Sequence, residues 1–312
     1  MRVSIIGQAA FGEAVFARLR EGGHNVVAVS APGPAGGRRP DALWQAAHEA
    51  GAEAIDTASL KDEAALQSWA AAEADLCVMA FVTEILPEAV FHAPKQGTIQ
   101  YHPSLLPLHR GSSAINWALI NGDAETGLTI FWPDEGIDTG PVLLQKRCPI
   151  GPEDTVGSLY FDRLFPMGVE AMAEAVDLIA AGKAPRLAQD HALATYEPPC
   201  RDEHAEIRWH EPAHRVHQLI RGTNPQPGAW ATYRGKKLRI LDCRLQPGQE
   251  PGMPGRILRL DGEGFDVRLN GGVLRVLLVQ PDGEKKAPAG EWASDAGVKA
   301  GYRFRQGPPS AT

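Results

Sequence analysis

Two short stretches of this chain hold the residue types that proton transfer needs. The first is Ile99-Gln100-Tyr101-His102-Pro103-Ser104-Leu105-Leu106-Pro107-Leu108-His109-Arg110-Gly111-Ser112-Ser113. An imidazole titrates near neutrality and can give or take a proton there. Pro103 and Pro107 stiffen the turn that presents His102, and Gly111 lets backbone approach closely just before a helix start. The second stretch is Asp134-Glu135-Gly136-Ile137-Asp138-Thr139-Gly140-Pro141. An acid beside glycines is ordinarily a turn former, and a loop histidine is ordinarily satisfied by a neighbouring carbonyl. An aspartate and a histidine from adjacent loops of one sheet can instead meet at its rim, where the carboxylate orients the imidazole and stabilises its charged form. Spacing alone leaves both readings open.

The elements that would bring the two stretches together can be read from periodicity. β-type runs at residues 3–6, 26–29, 76–80 and 98–101 alternate with helical patterns at 11–20, 41–50 and 61–73. Such alternation predicts an α/β fold with a mostly parallel sheet and helices on both faces. In an open parallel sheet, ligands bind outside the carboxyl ends of the strands, which is where His102 would stand. Ser112 or Ser113 can cap a helix that runs through Trp117 and stops at Asn121-Gly122. Strands are expected at 127–132 and 142–146, flanking the second stretch, then a long helical segment at 155–181 interrupted near Pro166. After Pro198-Pro199 the character changes. One helix at 212–221 precedes β-type segments at 229–233, 237–241, 256–260, 265–269 and 273–279, separated by turns such as Gln246-Pro247-Gly248. This predicts a small β-barrel or sandwich, with the division near residue 200, hence domains at 1–200 and 204–308.

Composition narrows the function classes. The 312 residues carry a net charge of −7, which disfavours a general nucleic-acid binder, whose affinity comes largely from phosphate neutralisation. Arg234, Lys236, Lys237 and Arg239 form the one basic cluster that could contact phosphate. Cys77, Cys148, Cys200 and Cys243 are scattered and make no CxxC pair, against a structural zinc site or a disulfide framework. The opening MRVSIIGQAAFGE has no long apolar signal core, and no apolar run approaches the ~20 residues that span a bilayer. A soluble, cytoplasmic protein without a membrane partner is expected. Oligomeric state cannot be read.

The run HPSLLP followed by HRG, AINWALINGD and DEGIDTGP resembles the formyltransferase and hydrolase family that uses 10-formyltetrahydrofolate. Within it the resemblance is strongest to the N-terminal hydrolase domain of 10-formyltetrahydrofolate dehydrogenase. It begins at Ile5-Ile6-Gly7-Gln8 and reaches the second domain at Ile220-Arg221-Gly222 and Pro227-Gly228-Ala229-Trp230. It implies a Rossmann-like catalytic domain followed by an OB-like barrel. By motif, His102 matches the family's catalytic histidine and Asp138 its essential aspartate. Glu84-Ile85-Leu86, before Pro87, matches the loop whose backbone holds the pterin ring, with Phe81 or Leu86 against its face. Asp134 and Gly136 are expected beside the folate, and Ser104, Arg110 and Gly111 near the acceptor. Most formyltransferases of the family have Asn two residues before the histidine. Here Gln100 stands instead, an amide donor for a developing oxyanion on a longer arm. The co-substrate implied is 10-formyltetrahydrofolate, with no metal and no NAD.

The acceptor is left open between water, a small-molecule amine and methionyl-tRNA. The negative charge and the short loop after Ser30 speak against the tRNA. Ending at Thr312 without a carrier or aldehyde-dehydrogenase region, the chain is expected not to be a complete dehydrogenase. Three unrelated readings are weaker. His210-Glu211-Pro212-Ala213-His214 fits the zinc-peptidase pattern HExxH literally, but Pro212 suits the first helical position and would leave His210 outside the helix. Gly7 and Gly12 hint at a dinucleotide site, yet GxGxxG spacing is absent. A non-catalytic folate-binding protein would not need both His102 and Asp138.

Overall fold

The structure is a computed structural model that describes residues 1–34, 39–82 and 86–304. The chain divides into two compact units. The first gathers Met1–Ser112, Gly127–Cys148 and Phe161–Glu197; the second gathers Ser113–Thr126, Pro149–Tyr160 and Pro198–Thr312.

The first unit is built on a seven-stranded sheet. Its strands are β1 (Arg2–Gly7), β2 (Asn25–Ala31), β3 (Glu53–Asp56), β4 (Leu76–Ala80), β5 (Thr98–His102), β6 (Glu125–Phe131) and β7 (Val142–Pro149), in the order β3-β2-β1-β4-β5-β6-β7. The five strands from β3 to β5 pair in parallel, β6 runs antiparallel to β5, and β7 lies beside β6. The order reverses at β1, so the switch point lies between β1 and β4.

Side chains alternate across the sheet, and both faces are covered. Val3 and Ile5 of β1, Val78 of β4, and Ile99 and Tyr101 of β5 join a core with Phe11, Val15, Phe16 and Leu19 of helix α1 (Ala9–Glu21). Those four α1 residues recur at helical spacing, which is why this segment buries one stripe. Helix α2 (Ala42–Glu49) adds Leu43 and Ala47 to the same core. Ile6, Cys77 and Met79 point to the other face, against Leu60, Trp69 of helix α3 (Glu63–Ala71) and Val90 of helix α4 (Glu88–His92). One carboxylate serves two helix starts. Asp41 accepts from Leu43 N–H at 2.9 Å to cap α2, and its two oxygens lie 3.0 and 2.8 Å from the Ala9 N–H that opens α1.

Helix α5 (Ala114–Asn121) and helix α6 (Val156–Leu159) belong to the second unit, and helix α7 (Phe165–Ala180) to the first. The expected break near Pro166 is a π-helical turn at Tyr160–Leu164 between α6 and α7, and Pro166 sits in the first turn of α7. There its missing N–H leaves no bond unmade. Ser113 occupies the N-cap position of α5 but does not cap it; its hydroxyl accepts from Cys200 N–H at 2.9 Å. Gly122 ends α5 in the left-handed conformation, φ +82°, as the Asn-Gly pair predicts.

The second unit continues with helix α8 (Ala213–Gly222) and strands β8 (Trp230–Tyr233), β9 (Lys236–Gln246), β10 (Ile257–Leu260), β11 (Phe265–Leu269), β12 (Gly272–Pro281) and β13 (Ala287–Pro288), then helix α9 (Ala289–Asp295). The antiparallel order is β10-β11-β12-β9-β8, with β13 on β12, in a curled sheet. Its core holds Trp209, Tyr233, Phe265 and Phe304, with Trp209 stacked on Phe304 at 5.1 Å between ring centres. β9 runs five residues beyond the expected 237–241, because Asp242 to Gln246 keep pairing with β12.

Candidate active site

His102 is the last residue of β5, and strand periodicity decides where it points. Tyr101 packs on Phe11, ring centres 4.5 Å apart, so Gln100 and His102 face the opposite side of the sheet. The loop that follows is fixed from β6 and β7. Thr129, the β6 residue opposite His102, donates its hydroxyl to Ser104 O at 2.7 Å and accepts from Leu106 N–H at 3.1 Å. Gln145 of β7 donates to Leu106 O at 2.7 Å. The Leu106–Pro107 bond is cis.

His102 is 5 % exposed, and both of its ring nitrogens face protein groups. Nε2 lies 2.8 Å from the His109 carbonyl. A carbonyl only accepts, so Nε2 carries the proton and Nδ1 presents its lone pair. Nδ1 lies 3.5 Å from Asp138 Oδ2, which also accepts Gly111 N–H at 2.8 Å. Burial pushes the His102 pKa below the ordinary histidine value; the Asp138 charge and the His109 carbonyl oppose this without cancelling it, and the nearby His109 ring adds to the lowering. The neutral imidazole therefore prevails at neutral pH. Its lone pair and a carboxylate oxygen converge on a gap that one proton, brought by a substrate or a water, can bridge. A buried pair of this kind can act as a base.

Two residues that hold His102 have left-handed backbone: His109 at φ +54° and Asp138 at φ +55°. Non-glycine residues seldom adopt this conformation unless their surroundings impose it. His109 is held by its N–H to Thr195 Oγ1 at 2.8 Å and by Nδ1 against Glu197 Oε1 at 3.1 Å. Asp138 is held through its carbonyl, which accepts from Gln189 Nε2 at 2.9 Å. Gly111, at φ +105°, brings its N–H to Asp138 where a Cβ would meet the Glu197 carbonyl at 3.3 Å.

The other expected site residues fall in different places. Gln100 is half-buried on the His102 face, and its side chain makes no hydrogen bond among the described residues. Ser104 is fully buried, with its hydroxyl donating to Leu108 O at 2.6 Å. Arg110 is buried and donates to the Tyr196 hydroxyl at 2.8 Å and to Gln189 Oε1 at 2.7 Å, with its guanidinium 5.2 Å from the Tyr196 ring centre. Phe81, just past the end of β4, has left-handed backbone and 43 % exposure. With Ile6, Gly7, Pro32 and Val82 it lines a shallow recess at the carboxyl ends of β1 and β4, one strand over from β5. Leu86 is buried in the α3/α4-side core, so what it can offer a ligand is backbone. Pro87 caps α4. Glu84 and Ile85 lie outside the described residues. Asp134 is exposed and accepts from Gly136 N–H at 3.1 Å and from the Thr139 hydroxyl, which folds the loop leading to Asp138.

Two other sequence features resolve into local structure. α8 begins at Ala213, so His210 precedes it and shares no helical face with His214. No group of three or more metal-ligating side chains occurs among the described residues. Within the basic cluster, Lys237 pairs with Asp202 and lies 4.3 Å from the Trp230 ring centre, and Arg239 reaches Asp202 at 3.5 Å and Asp282 at 3.7 Å. Gln189, Thr195, Tyr196 and Glu197 escaped the sequence reading. They sit in an aperiodic run between α7 and Pro198-Pro199 that has the composition of a linker, and only tertiary contact reveals them.

The chain matches the model of the formyl transferase family over residues 1–176 and that of the formyl transferase C-terminal domain over residues 200–297. It is 42 % identical over 276 residues to the mitochondrial 10-formyltetrahydrofolate dehydrogenase of Mus musculus, which covers 86 % of this chain and 28 % of that protein. The chain thus spans little more than a quarter of that relative's length. It is 36 % identical over 294 residues to a methionyl-tRNA formyltransferase of Moorella thermoacetica, covering 93 % of this chain and 94 % of that one. Among solved structures, HypX from Aquifex aeolicus in complex with tetrahydrofolic acid shares the fold, with a TM-score of 0.69 at 20 % identity over 95 % of this chain and 47 % of that one.

Proposed function

We propose, from the premise that this chain belongs to the formyl transferase family, that it removes the formyl group of 10-formyltetrahydrofolate and passes it to water, releasing formate and tetrahydrofolate. The observation that carries the reading is the buried His102–Asp138 pair, open to one proton, in a chain similar over most of its length to a 10-formyltetrahydrofolate dehydrogenase. In this reading a water attacks the formyl carbon, and the His102–Asp138 pair takes one of its protons. The carbonyl oxygen becomes an oxyanion, for which Gln100 supplies an amide donor from the same face of the sheet. The tetrahedral intermediate collapses, the C–N10 bond breaks, and the pair returns the proton to N10. The second proton of the water leaves with formic acid, so the step balances without metal or nicotinamide.

Phe81 and the backbone around residues 84–87 are the groups that would flank the pterin, with the Asp134–Gly136 turn beside it. Ser104, Arg110 and Gly111 serve the acceptor side through the loop they shape. The four free cysteines fit a reducing cytoplasm. No described helix is long and apolar enough to cross a membrane.

A second reading, formylation of methionyl-tRNA, is favoured by the near full-length match to the Moorella enzyme. Against it stand the net charge of −7 and the pairing of Lys237 and Arg239 with acids. Purified chain mixed with 10-formyltetrahydrofolate, with tetrahydrofolate release followed optically, separates the cases. Turnover with no amine present is the expected result. Turnover only on adding a small amine, or only on adding methionyl-tRNA, assigns that acceptor, and none under any condition overturns the reading.

A further inference from the structure

The aperiodic run after α7 reaches both loops that build the site. Leu187 pairs with Val142, just past the Asp138 loop, through N–H···O contacts of 2.8 and 2.9 Å. Gln189, 7 % exposed, places both protons of its amide on that loop, to Asp138 O at 2.9 Å and Gly140 O at 2.7 Å. Its Oε1 accepts from Arg110 Nη2 at 2.7 Å. Thr195 takes the His109 N–H with its hydroxyl and the Arg110 N–H with its carbonyl at 3.0 Å, and gives its own N–H to Pro107 O at 3.2 Å.

The two residues restrained in this way are the two that hold the His102 ring, one through a carboxylate and the other through a carbonyl. Both carry the left-handed backbone that needs external support. A glutamine is suited to the task, because only a primary amide offers two donors to adjacent carbonyls and an acceptor to a guanidinium at once. We propose that residues 187–197 are the positioning element of the active site and that Gln189 is the positioning residue for Asp138. Gln189 touches no reacting atom; it fixes where the carboxylate stands relative to His102. The inference rests on the formyl-transfer reading of that pair.

Two variants separate positioning from packing. Gln189→Met removes all three hydrogen bonds at similar volume. Gln189→Glu keeps an acceptor for Arg110 but has no donor for the Asp138 carbonyl. Both should lower kcat for formyl release about 10- to 100-fold and leave KM for 10-formyltetrahydrofolate within about twofold, because the loss lies in geometry at the reacting centre. A Gln189→Glu chain with the parent's kcat would overturn the inference, as would a raised KM at unchanged kcat, which marks a substrate contact. If the parent itself shows no turnover, the formyl-transfer reading fails instead. A readout on the parent depends on neither turnover nor variant folding. The Gln189 side-chain amide protons should exchange slowly with solvent in NMR spectra, and exchange as fast as a surface glutamine's excludes the proposed bonds.

Discussion

His102 and Asp138 are each buried. Charge created in such a place is screened little, so a small change in chemistry has a large effect. His102→Ala and Asp138→Asn should each lower kcat by 10²–10⁴-fold, in the range of acid–base assistance. Gln100→Leu, which removes an amide donor and keeps an apolar stem, should cost about 10²–10³-fold in kcat with little change in KM. Stopped-time assays of tetrahydrofolate release decide all three; a Gln100→Leu enzyme with full kcat would remove that residue from the mechanism. At this scale the sequence was informative where a motif named the residue, as for His102 and Asp138, and silent where a residue acts through its main chain. The His109 carbonyl sets the His102 tautomer, and nothing in the letter H at position 109 announces a carbonyl's role.

Among the elements, α7 passes close to β5 and α1 at a glycine. Gly168 of α7 passes Tyr101 and Phe11 so closely that an added Cβ would stand 2.7 Å from the Tyr101 ring and 3.0 Å from that of Phe11. Alanine favours a helix over glycine by about 1 kcal/mol, whereas overpacking a core costs typically 1–3 kcal/mol. Gly168→Ala should therefore destabilise the chain by up to about 2 kcal/mol, read from its urea unfolding midpoint. An unchanged or raised midpoint would show that the rings yield freely. The strand and helix alternation up to residue 146 was legible because both faces of the sheet are buried and the runs are strongly apolar. β3 was not, since it is a four-residue edge strand in which Glu53 and Asp56 flank only Ala54 and Ile55. α4 and α9 were missed for a related reason: they have five and seven residues, too few for helical periodicity to declare itself.

For the whole molecule, stability against acid should depend on a histidine of the second unit. His217 of α8 is buried, and burial, with Arg221 and Arg244 nearby, pushes its pKa from the usual 6.5 to about 4. Glu153, 4.0 Å away, does not reverse this. A histidine whose folded pKa is depressed is protonated first in the unfolded chain. Its stabilising effect is therefore complete above 6.5 and is lost as pH falls toward about 4. His102, depressed in the same direction, adds to the loss as pH falls below 6.5. His217→Gln should flatten the fall in thermal midpoint between those pH values, measured by calorimetry; an unaltered slope would place the acid sensitivity elsewhere. The division of the chain was only partly legible. A boundary near residue 200 follows from composition, but the membership of 113–126 and 149–160 in the second unit depends on contacts that composition does not encode.

The Asp41 carboxylate bears on what the turn after β1 can hold. In open α/β sheets the turn after the first strand commonly greets a phosphate, since the following helix begins with bare amides and a partial positive charge. Here that reception is already taken: both Asp41 oxygens stand at the Ala9 N–H. A phosphorylated amine arriving at the β1/β4 crevice would meet a fixed negative charge in place of an empty cradle. If the acceptor is water, as proposed, turnover without an amine should be indifferent to added inorganic phosphate.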